Sequence, residues 1–473
     1  MKINFLGADQ NVTGSKHLIQ TQGYNLLLDC GFYQGKREES NRQNSTLPFV
    51  AKDINAVVLS HAHLDHCGTL PILVKNGFLG KIYCTKATAE IAKYILLDSA
   101  KIQKQDCMYL NSHLQNGEPE VLPIYTEEDV ENAVNHFEPV EYFRQSNKWT
   151  ELNKNIKFKL YDAGHILGSA IIFLEIKDPS TGSGQETKTL AFTGDLGRED
   201  LPILRSPEFI TDSTQTLITE CTYGDSLHRP LSEATSDFKN VINSAIKSKG
   251  KIIVPAFSLG RTQEIIYTLH KLLDKKLIPQ IPIYIDSPLA KNITEVFPNY
   301  INDFDKEFWN DFGNKGESPF LLKNLFYINS QEESKALNNK QGPLIIISAS
   351  GMSEGGRVLH HLKSNIENPQ NIVLITGYQA ENTLGRRIQD GVSPIKIYGK
   401  SYNVRAQIKT LNEFSAHADQ NDILSYISHI EGLQRIFLVH TEIRQATAFK
   451  NLLEKKYSAL PVEIPKMGDL FEI

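Results

Sequence analysis

Three histidines and one aspartate lie within six residues in the first part of the chain, at His61, His63, Asp65 and His66. Neutral imidazoles and carboxylates are the ligands that zinc and similar divalent metals prefer. Histidines one residue apart can converge on one ion where an extended chain bends, and Asp65 and His66 would then face a second ion. Four side chains do not fill two metal sites. The sequence therefore predicts further ligands from other parts of the chain.

Other side chains of the same chemistry lie at or shortly after the ends of predicted strands. The histidine cluster itself follows the apolar run 54–59, which predicts a buried strand. In sheets of parallel strands, ligands bind beyond the carboxyl ends, so side chains in these positions can meet. The residues placed in this way are Asp29, His165, Asp195, Glu220, His417 and His440.

Together these residues supply enough donors for two metal ions that share one carboxylate. The predicted ligands are His61, His63 and His165 for one ion and Asp65, His66 and His440 for the other, with Asp195 as the bridge. Two ions about 4 Å apart lower the pKa of a bridging water and stabilise the attacking and leaving oxygens of a displacement. We therefore expect two Zn²⁺ per chain, with Mn²⁺ as the alternative metal.

The remaining polar residues at strand ends suit proton transfer. His417 is the predicted general acid, because histidine titrates near neutrality, and Glu220 is the group that orients it. Asp29 ends a buried strand before a glycine and is counted with Asp195 among the catalytic carboxylates. A turn-forming role is the plain alternative for Asp29.

The composition is that of an ordinary globular protein, with 473 residues, 40% hydrophobic and 22% charged. The net charge of −5 does not favour bulk attraction to nucleic acid, so such binding would need local lysine, arginine or metal charge. Five scattered cysteines argue against a disulfide framework and for a reducing compartment. Apolar runs are too short for a membrane helix. We therefore expect a cytoplasmic protein without a membrane partner.

The pattern of elements changes twice along the chain. Residues 1–205 predict short strands and tight turns, whereas residues 206–394 predict strands that alternate with helices, and residues 395–473 return to the first pattern. Alternation of this kind is typical of a parallel sheet covered by helices. The strands predicted in the middle segment are Thr216–Thr219, Lys251–Pro255, Ile281–Ile285, Leu344–Ser348 and Ile372–Thr376.

Two turns of the middle segment are suited to anions. Ser258 and Arg261 lie in the first turn, and Ser350, Gly351 and Arg357 lie in the second. Free amides at a helix start, together with arginine, can hold a phosphate. Glycine-rich turns also simply join strands to helices, so phosphate binding stays one of two interpretations. Neither turn matches a nucleotide fingerprint.

The order of Asp29, the histidine cluster, His165 and Asp195 resembles the metallo-β-lactamase superfamily. Glu220 in Thr-Glu-Cys-Thr-Tyr-Gly, His417 in Phe-Ser-Ala-His-Ala-Asp and His440 after Phe-Leu-Val are similar to the three further motifs of its β-CASP branch. The resemblance spans nearly the whole chain. It implies an α/β fold, a metallo-β-lactamase αββα sandwich with an inserted parallel-sheet β-CASP domain.

The resemblance also implies a function. The chain is similar to the nuclease subunit of the cleavage and polyadenylation specificity factor, in its short prokaryotic form. This implies hydrolysis of RNA, single-stranded in the first place, by a hydroxide that two zinc ions activate. The extra C-terminal domain typical of ribonuclease J does not follow His440, which favours an endonuclease.

Several alternatives stay open at this point. They are a 5′-exoribonuclease, a thioesterase or lactonase that uses the same metal site, and a catalytically silent RNA-binding scaffold. Activity on single-stranded DNA and assembly into a homodimer are also left open by the sequence.

Overall fold

The computed structural model of the protein describes residues 1–21, 23–35, 37–114, 118–178, 186–199, 201–411 and 414–473. The strands of these residues are β1 Lys2–Phe5, β2 His17–Thr21, β3 Tyr24–Leu28, β4 Ala56–Val58, β5 Lys81–Cys84, β6 Phe137–Pro139, β7 Thr150–Asn153, β8 Ile156–Asp162, β9 Ala170–Asp178, β10 Glu186–Phe192, β11 Thr216–Glu220, β12 Lys251–Pro255, β13 Ile283–Asp286, β14 Leu325–Tyr327, β15 Leu344–Ser348, β16 Ile372–Ile375, β17 Ile395–Ile397, β18 Lys400–Tyr402, β19 Gln407–Thr410, β20 Arg435–Val439, β21 Val462–Glu463 and β22 Leu470–Glu472.

The α-helices of the same residues are α1 Arg37–Ser45, α2 Leu64–Cys67, α3 Leu70–Lys75, α4 Lys86–Asn111, α5 Glu127–Val134, α6 Phe143–Ser146, α7 Leu231–Ser248, α8 Arg261–Asp274, α9 Pro288–Val296, α10 Lys306–Asp311, α11 Gln331–Asn339, α12 Val358–Asn365, α13 Leu384–Gln389, α14 Gln420–Ser428 and α15 Ile443–Lys456. Short 3-10 turns cover Ala51–Asp53, Phe297–Asp303 and Gly313–Lys315.

The chain folds into two compact units. The first unit comprises Met1–Glu199, Ser206–Leu227 and His417–Ile473, and the second comprises Asp200–Arg205 and His228–Ala416. The first unit is thus assembled from separate stretches of chain, and the second is an insertion in its sequence.

Two seven-stranded sheets form the first unit. Their strand orders are β22-β1-β2-β3-β4-β5-β6 and β21-β20-β11-β10-β9-β8-β7. Alternate side chains of both sheets, such as Leu26, Val58, Ile172 and Phe192, share one core between the sheets. Because side chains alternate across a strand, the other face of the second sheet packs on α14 and α15. This layering confirms the predicted αββα sandwich.

The direction of the strands explains where polar side chains collect in this unit. β3, β4 and β5 run parallel in the first sheet, and β10, β11 and β20 run parallel in the second. The carboxyl ends of parallel strands meet at one edge of each sheet. The residues that follow these strands are therefore placed side by side although they are distant in sequence.

A six-stranded sheet forms the second unit, in the order β14-β13-β15-β12-β16-β19. Every pair of neighbouring strands in it is parallel. Side chains of the sheet and of α12 and α13, among them Ile346, Leu362 and Ile388, form its core. β17 and β18 form a separate antiparallel hairpin. The parallel sheet predicted for the middle of the chain is present.

Two strands pair in a different unit from the one that the change of pattern in the sequence indicates. β11 lies between β10 and β20 in the first unit, although residues 206–394 were predicted as one domain. β19 pairs with β16 in the second unit, although it follows residue 395. A strand belongs to the unit that contains its hydrogen-bonded neighbours. The residues of a strand do not by themselves show which strands those neighbours are. The predicted domain bounds 1–205, 206–394 and 395–473 stay a prediction.

The sequence pattern also missed short elements of the second unit. β14, α10 and α11 lie between the helix α9 and the strand β15. They are short and partly exposed, so their hydrophobic periodicity is weak. Among the described residues, no helix is both long and apolar enough to span a membrane.

Candidate metal centre

Eight of the ten polar residues chosen from strand ends meet in the first unit as possible metal ligands, and the other two, Asp29 and Glu220, lie behind His66 and His417. His61, His63 and His66 follow β4, Asp195 follows β10, and His440 follows β20. His165 lies between β8 and β9, in a loop where the Ser169 hydroxyl accepts its backbone N–H at 3.0 Å. Strand ends thus place each side chain, as the sequence predicted.

One group of four side chains can hold an ion. The ligand atoms of His61, His63, His165 and Asp195 all lie within 4.8 Å of one another. His61 Nε2 is 3.0 Å from His63 Nδ1, which is 3.4 Å from His165 Nε2. Asp195 Oδ2 lies 3.4 Å from His61 Nε2 and 3.5 Å from His165 Nε2. Ring nitrogens that point at a common centre in this way are arranged as metal ligands are.

A second group consists of Asp65, His66 and His440. His440 Nε2 lies 3.3 Å from Asp65 Oδ2, and His66 Nε2 lies 3.9 Å from the same oxygen. His66 Nε2 is also 3.3 Å from Oδ1 of Asp195, whose Oδ2 faces the first group. The two oxygens of Asp195 therefore face different groups, which is the geometry of a bridging carboxylate.

Burial keeps the imidazoles of the first group unprotonated. Burial, followed by the neighbouring His61, lowers the pKa of His63 to about 3. Burial likewise lowers the pKa of His61 and of His165. A neutral imidazole has a lone pair to offer, so all three rings are in the form that binds a metal.

His66 is placed by a carboxylate on its far side. Its Nδ1 donates to Asp29 Oδ2 at 2.7 Å. Burial alone would lower the pKa of His66, but Asp195 and Asp29 outweigh it and raise the pKa well above its usual value. Metal-binding histidines commonly donate their second nitrogen to a carboxylate in this way.

Asp29 lies behind His66, outside the metal groups. Its side chain is fully buried and accepts hydrogen bonds from the Ser60 backbone, the Ser60 hydroxyl and the Ser15 hydroxyl, as well as from His66. These contacts hold the ring of His66 in place. The assignment of Asp29 as a catalytic carboxylate stays a prediction.

His417 and Glu220 form the predicted pair. His417 Nδ1 donates to Glu220 Oε1 at 2.9 Å, and Glu220 is fully buried. Burial by itself would lower the pKa of His417, but Glu220 and then Asp195 outweigh it and raise the pKa to about 9. A raised pKa favours the protonated imidazole, which is the form that a general acid requires. Its side chain is 18% exposed, so a substrate can reach it.

Thr222 was missed by the sequence analysis. Its hydroxyl donates to Glu220 Oε2 at 2.6 Å and lies 3.2 Å from His440 Nδ1. Since the one hydroxyl proton is directed at Glu220, the oxygen can accept from His440 Nδ1, which leaves His440 Nε2 free to face Asp65. Thr222 therefore links the carboxylate behind His417 to the second metal group.

Signals for the missed residues were present but weak. Thr222 lies two residues after Glu220, and Ser60 directly precedes His61. A hydroxyl next to a predicted ligand is a candidate partner. Nothing in the sequence says which hydroxyl among many makes such a contact.

The donor set fits a divalent metal. His66 Nε2 and Asp195 Oδ1 are buried and lie 3.3 Å apart, but neither atom makes a hydrogen bond of suitable geometry. Buried polar atoms are almost always paired, so atoms left in this state indicate a missing ligand. Imidazole nitrogens and carboxylate oxygens suit zinc and similar metals. The residues of both groups thus fit a metal cofactor.

The first turn predicted to bind phosphate lies at the carboxyl end of β12. Ser258 Oγ is 2.9 Å from Ser287 Oγ. Arg261 is buried and pairs through Nη1 with Glu264, while its Nε has no hydrogen-bond partner. Gly377, after β16, closely approaches the guanidinium, because an added Cβ would lie 3.4 Å from Nη2. Arg261 therefore keeps one donor for a ligand.

The second turn lies beside the first, since Gly351 packs against the ring of Phe257. The Ser350 hydroxyl accepts from the backbone N–H groups of Glu354 and Gly355. Arg357 Nη1 donates to Asp286 at 2.6 Å, and that carboxylate is fully buried. The charge of Arg357 is thus used inside the unit, which the sequence did not indicate.

Comparison with known families agrees with this geometry. Three family models match the chain: the Metallo-beta-lactamase superfamily domain over residues 18–180, the Beta-Casp domain over 262–388, and the Zn-dependent metallo-hydrolase RNA specificity domain over 401–465. A solved structure of a protein of unknown function from Enterococcus faecalis V583 has the same fold, with a TM-score of 0.52 at 13% identity over 99% of both chains.

Relatives match over nearly the full length. The chain is 35% identical to Ribonuclease TTHA0252 of Thermus thermophilus, over 96% of each chain. It is 32% identical to an RNase J-like protein of Methanocaldococcus jannaschii, over 100% of this chain and 99% of the relative. It is 30% identical to the transcription termination factor FttA of the same organism, over 98% of this chain and 71% of that one.

The chain belongs to the β-CASP branch of the metallo-β-lactamase superfamily. It carries the metallo-hydrolase fold of that family, with the histidine and aspartate groups in the positions that a metal cofactor requires.

Proposed function

We propose that the protein is a metal-dependent ribonuclease that hydrolyses phosphodiester bonds of single-stranded RNA, internally rather than from an end. The observation that carries the proposal is the placement of Asp195 between two groups of metal ligands. RNA as the substrate class follows from the ribonuclease and RNase J-like relatives. A thioesterase or lactonase would need neither a parallel-sheet unit nor Arg261.

The proposed ligands are His61, His63 and His165 for one zinc ion and Asp65, His66 and His440 for the other, with Asp195 shared. When bound, the two ions supply Lewis acidity at the phosphodiester and activate water. The side chains of the protein fix where the reaction takes place. Asp29 holds His66 in place, and Thr222 holds His440.

His417 is the proposed proton donor. Its Nδ1 is occupied by Glu220, so the proton that it can give to the leaving oxygen is on Nε2. Glu220 also accepts from the Leu196 backbone N–H at 2.7 Å and from Thr222, so its position is fixed before substrate arrives. A preorganised pair of this kind loses no energy to rearrangement during the reaction.

In the second unit we propose Ser258, Arg261, Ser350 and Gly351 as contacts to substrate phosphates. Support comes from the unpartnered Arg261 Nε and from the close approach of Gly377 to the guanidinium, where an added Cβ would lie 3.4 Å from Nη2. Arg357 stays a prediction as a phosphate contact, because its Nη1 is already paired with Asp286. A homodimer and a cytoplasmic location likewise stay predictions.

Product analysis tests the proposal. The purified protein is incubated with internally and 5′-labelled single-stranded RNA that carries either a 5′-monophosphate or a 5′-triphosphate. An endonuclease gives internal fragments from both RNAs, whereas mononucleotides released from monophosphate RNA alone would mean 5′-exonuclease activity. Single-stranded DNA, a thioester and a lactone serve as the other substrates.

Metal-site variants test the mechanism on the same substrates. His63→Ala and Asp65→Ala each remove one proposed ligand, one from each group. Both should lose bound metal, measured by plasma mass spectrometry, and RNA cleavage with it. Cleavage that continues unchanged in either variant would rule out the proposed centre.

A further inference from the structure

The hairpin of β17 and β18 in the second unit presents an aromatic ring at its tip. Residues 398 and 399 connect the two strands, with Ile397 opposite Lys400. Tyr398 has φ of 49° and Gly399 has φ of 75°, as in the tightest class of hairpin turn. Asparagine is the usual residue at the first of these positions, and a bulky side chain is rare there. The ring is nevertheless 55% exposed.

A second ring lies beside Tyr398. The Tyr398 hydroxyl lies 3.1 Å from His360 Nε2, and the two ring centroids are 5.0 Å apart with an interplanar angle of 35°. Burial, then the positive charge of Lys363, lowers the pKa of His360, so its Nε2 can accept the hydroxyl proton at neutral pH. The two rings form one exposed aromatic surface.

The surroundings of this surface are basic. Residues 393–410 contain Lys396, Lys400, Arg405 and Lys409 and no acidic residue, in a chain whose net charge is −5. These four side chains are exposed. Ile395 and Ile397 are buried and anchor the hairpin, so that Lys396, between them on the strand, faces outward. Lys363 and Lys335 add positive charge on the side of His360.

Acidic groups nearby are already used. Glu367 accepts the Asn403 backbone N–H at 2.9 Å at the base of the hairpin. Asp286, on the inner side of α12, is bound by Arg357 and His361. Among the described residues, neither Lys396 nor Lys400 pairs with an acidic side chain, so the exposed face of the hairpin carries positive charge. A positive surface with stacked aromatic rings suits single-stranded nucleic acid.

We propose that Tyr398, His360, Lys396 and Lys400 form a second contact surface for the RNA substrate, made of other residues than the metal ligands and the proposed phosphate contacts. Lysines 396 and 400 contact phosphates, and a base stacks on the ring of Tyr398. The inference rests on the proposed function for the identity of the nucleic acid as RNA. This surface binds a part of the RNA other than the phosphodiester bond that is hydrolysed.

Fluorescence anisotropy with labelled polyuridine tests the surface, in a His417→Ala background so that cleavage is slow. In Lys396→Gln/Lys400→Gln, the slope of log K against log salt concentration should become shallower by about 1.4, because each contact with a single strand contributes about 0.7. Lys101→Gln/Lys104→Gln, on the exposed part of α4 in the first unit, is the matched control and should keep the wild-type slope.

Tyr398→Asn tests the aromatic contact without straining the turn, because asparagine tolerates positive φ. Binding should weaken by about fivefold to tenfold, within the range for loss of one base stack. The melting temperature should not fall. Tyr109, 64% exposed and 4.4 Å from the ring of His113, provides the control variant Tyr109→Gln, whose binding should be unchanged.

The outcomes separate this inference from the proposed function. An unchanged salt slope in the double lysine variant, or unchanged affinity in Tyr398→Asn, overturns the surface even if the wild type cleaves RNA. A wild type that binds polyuridine through these residues but never cleaves RNA overturns the proposed function and supports the surface. Altered self-association of the lysine variant with unchanged RNA binding would assign the face to a second copy of the chain.

Discussion

The Nδ1 of His417 lies 2.9 Å from Oε1 of Glu220, a carboxylate with no exposed surface. The two residues are 197 positions apart in sequence. Neither residue belongs to the group of His61, His63, His165 and Asp195, yet His417 Nδ1 is 4.0 Å from Asp195 Oδ2. The pair therefore lies next to the candidate metal ligands, and Glu220 fixes the orientation of the His417 ring.

Replacement of the proton donor should separate catalysis from metal binding. His417→Ala should lower kcat for RNA by about 10²–10⁴-fold, the usual contribution of a general acid. Bound metal, measured by plasma mass spectrometry, should stay at the wild-type level. Loss of metal in this variant would mean that His417 is itself a metal ligand. This alternative arises because the ligand atoms of His417, Asp195 and His440 lie within 4.8 Å of one another.

Asp29→Asn should weaken metal binding without removing a ligand. The amide can no longer accept the His66 proton and the Ser60 and Ser15 donors as a carboxylate does. Loss of such a partner typically costs 10-fold to 100-fold in metal affinity or activity. Competition with a chelator measures the affinity. An affinity equal to that of the wild type would contradict the positioning role, and Asp53→Asn, in a surface turn, is the control.

Thr222→Val should affect both the His417–Glu220 pair and the second group of metal ligands, because one hydroxyl contacts Glu220 and His440. The variant keeps the shape of the side chain but loses the contacts to Glu220 Oε2 and to His440 Nδ1. We expect turnover to fall by about 10-fold or more, with a smaller loss of metal affinity. Thr222→Ser restores the hydroxyl and should recover activity. A valine variant with full turnover would show that the contact is not needed.

The two arginines of the second unit should differ in their effects. Arg261→Ala should make the salt dependence of RNA binding shallower by about 0.7, as expected for one lost phosphate contact. Arg357→Ala should instead lower the free energy of unfolding by about 3 kcal/mol, since it leaves Asp286 with one partner fewer in a buried place. Urea denaturation measures the free energy of unfolding, and salt titration measures the salt dependence of RNA binding. A loss of stability in Arg261→Ala together with a shallower salt dependence in Arg357→Ala would contradict the assignment.

Stability should depend on pH through Asp305, at the start of α10. Burial raises the pKa of this carboxyl to about 6, against 3.8 in its ordinary state, although the Phe308 N–H that it accepts acts in the opposite direction. A raised carboxyl pKa stabilises the folded state at low pH. That contribution is complete below about pH 4 and is lost as the pH rises through 6.

Asp305→Asn should remove this dependence and keep the helix cap, because asparagine caps helices as well as aspartate does. Relative to the variant, the wild type should lose about 1 kcal/mol between about pH 4 and pH 7, a value reduced because the carboxyl is partly exposed to solvent. Urea unfolding at several pH values measures it. Parallel pH profiles of wild type and Asp305→Asn would contradict the prediction.

Strand ends explain why so much of the site could be predicted from the sequence. His61, Asp195 and His440 each follow an apolar run, and a parallel sheet brings such positions together whatever their separation along the chain. The partners of these residues were harder to predict. Thr222 and Ser60 act through single hydrogen bonds, which depend on distances of a few ångströms that no pattern of residue types encodes.

Long-range pairing set the other limit. Arg357 has the sequence context of a phosphate contact, but it meets Asp286, 71 positions earlier. β11 and β19 have ordinary strand sequences, and only their neighbours assign them to one unit or the other. The local sequence determines that these residues form strands or turns. The fold of the whole chain determines which strands or side chains they contact.

Asp65 and His440 contact each other across 375 positions of sequence. Because the ribosome makes a protein from its amino end, His61, His63, His165 and Asp195 leave it well before His440 does. The growing chain can thus gather the first group of ligands early, but it lacks part of the second until residue 440 has been added. A nascent chain that has not reached residue 440 therefore cannot assemble the complete set of proposed ligands.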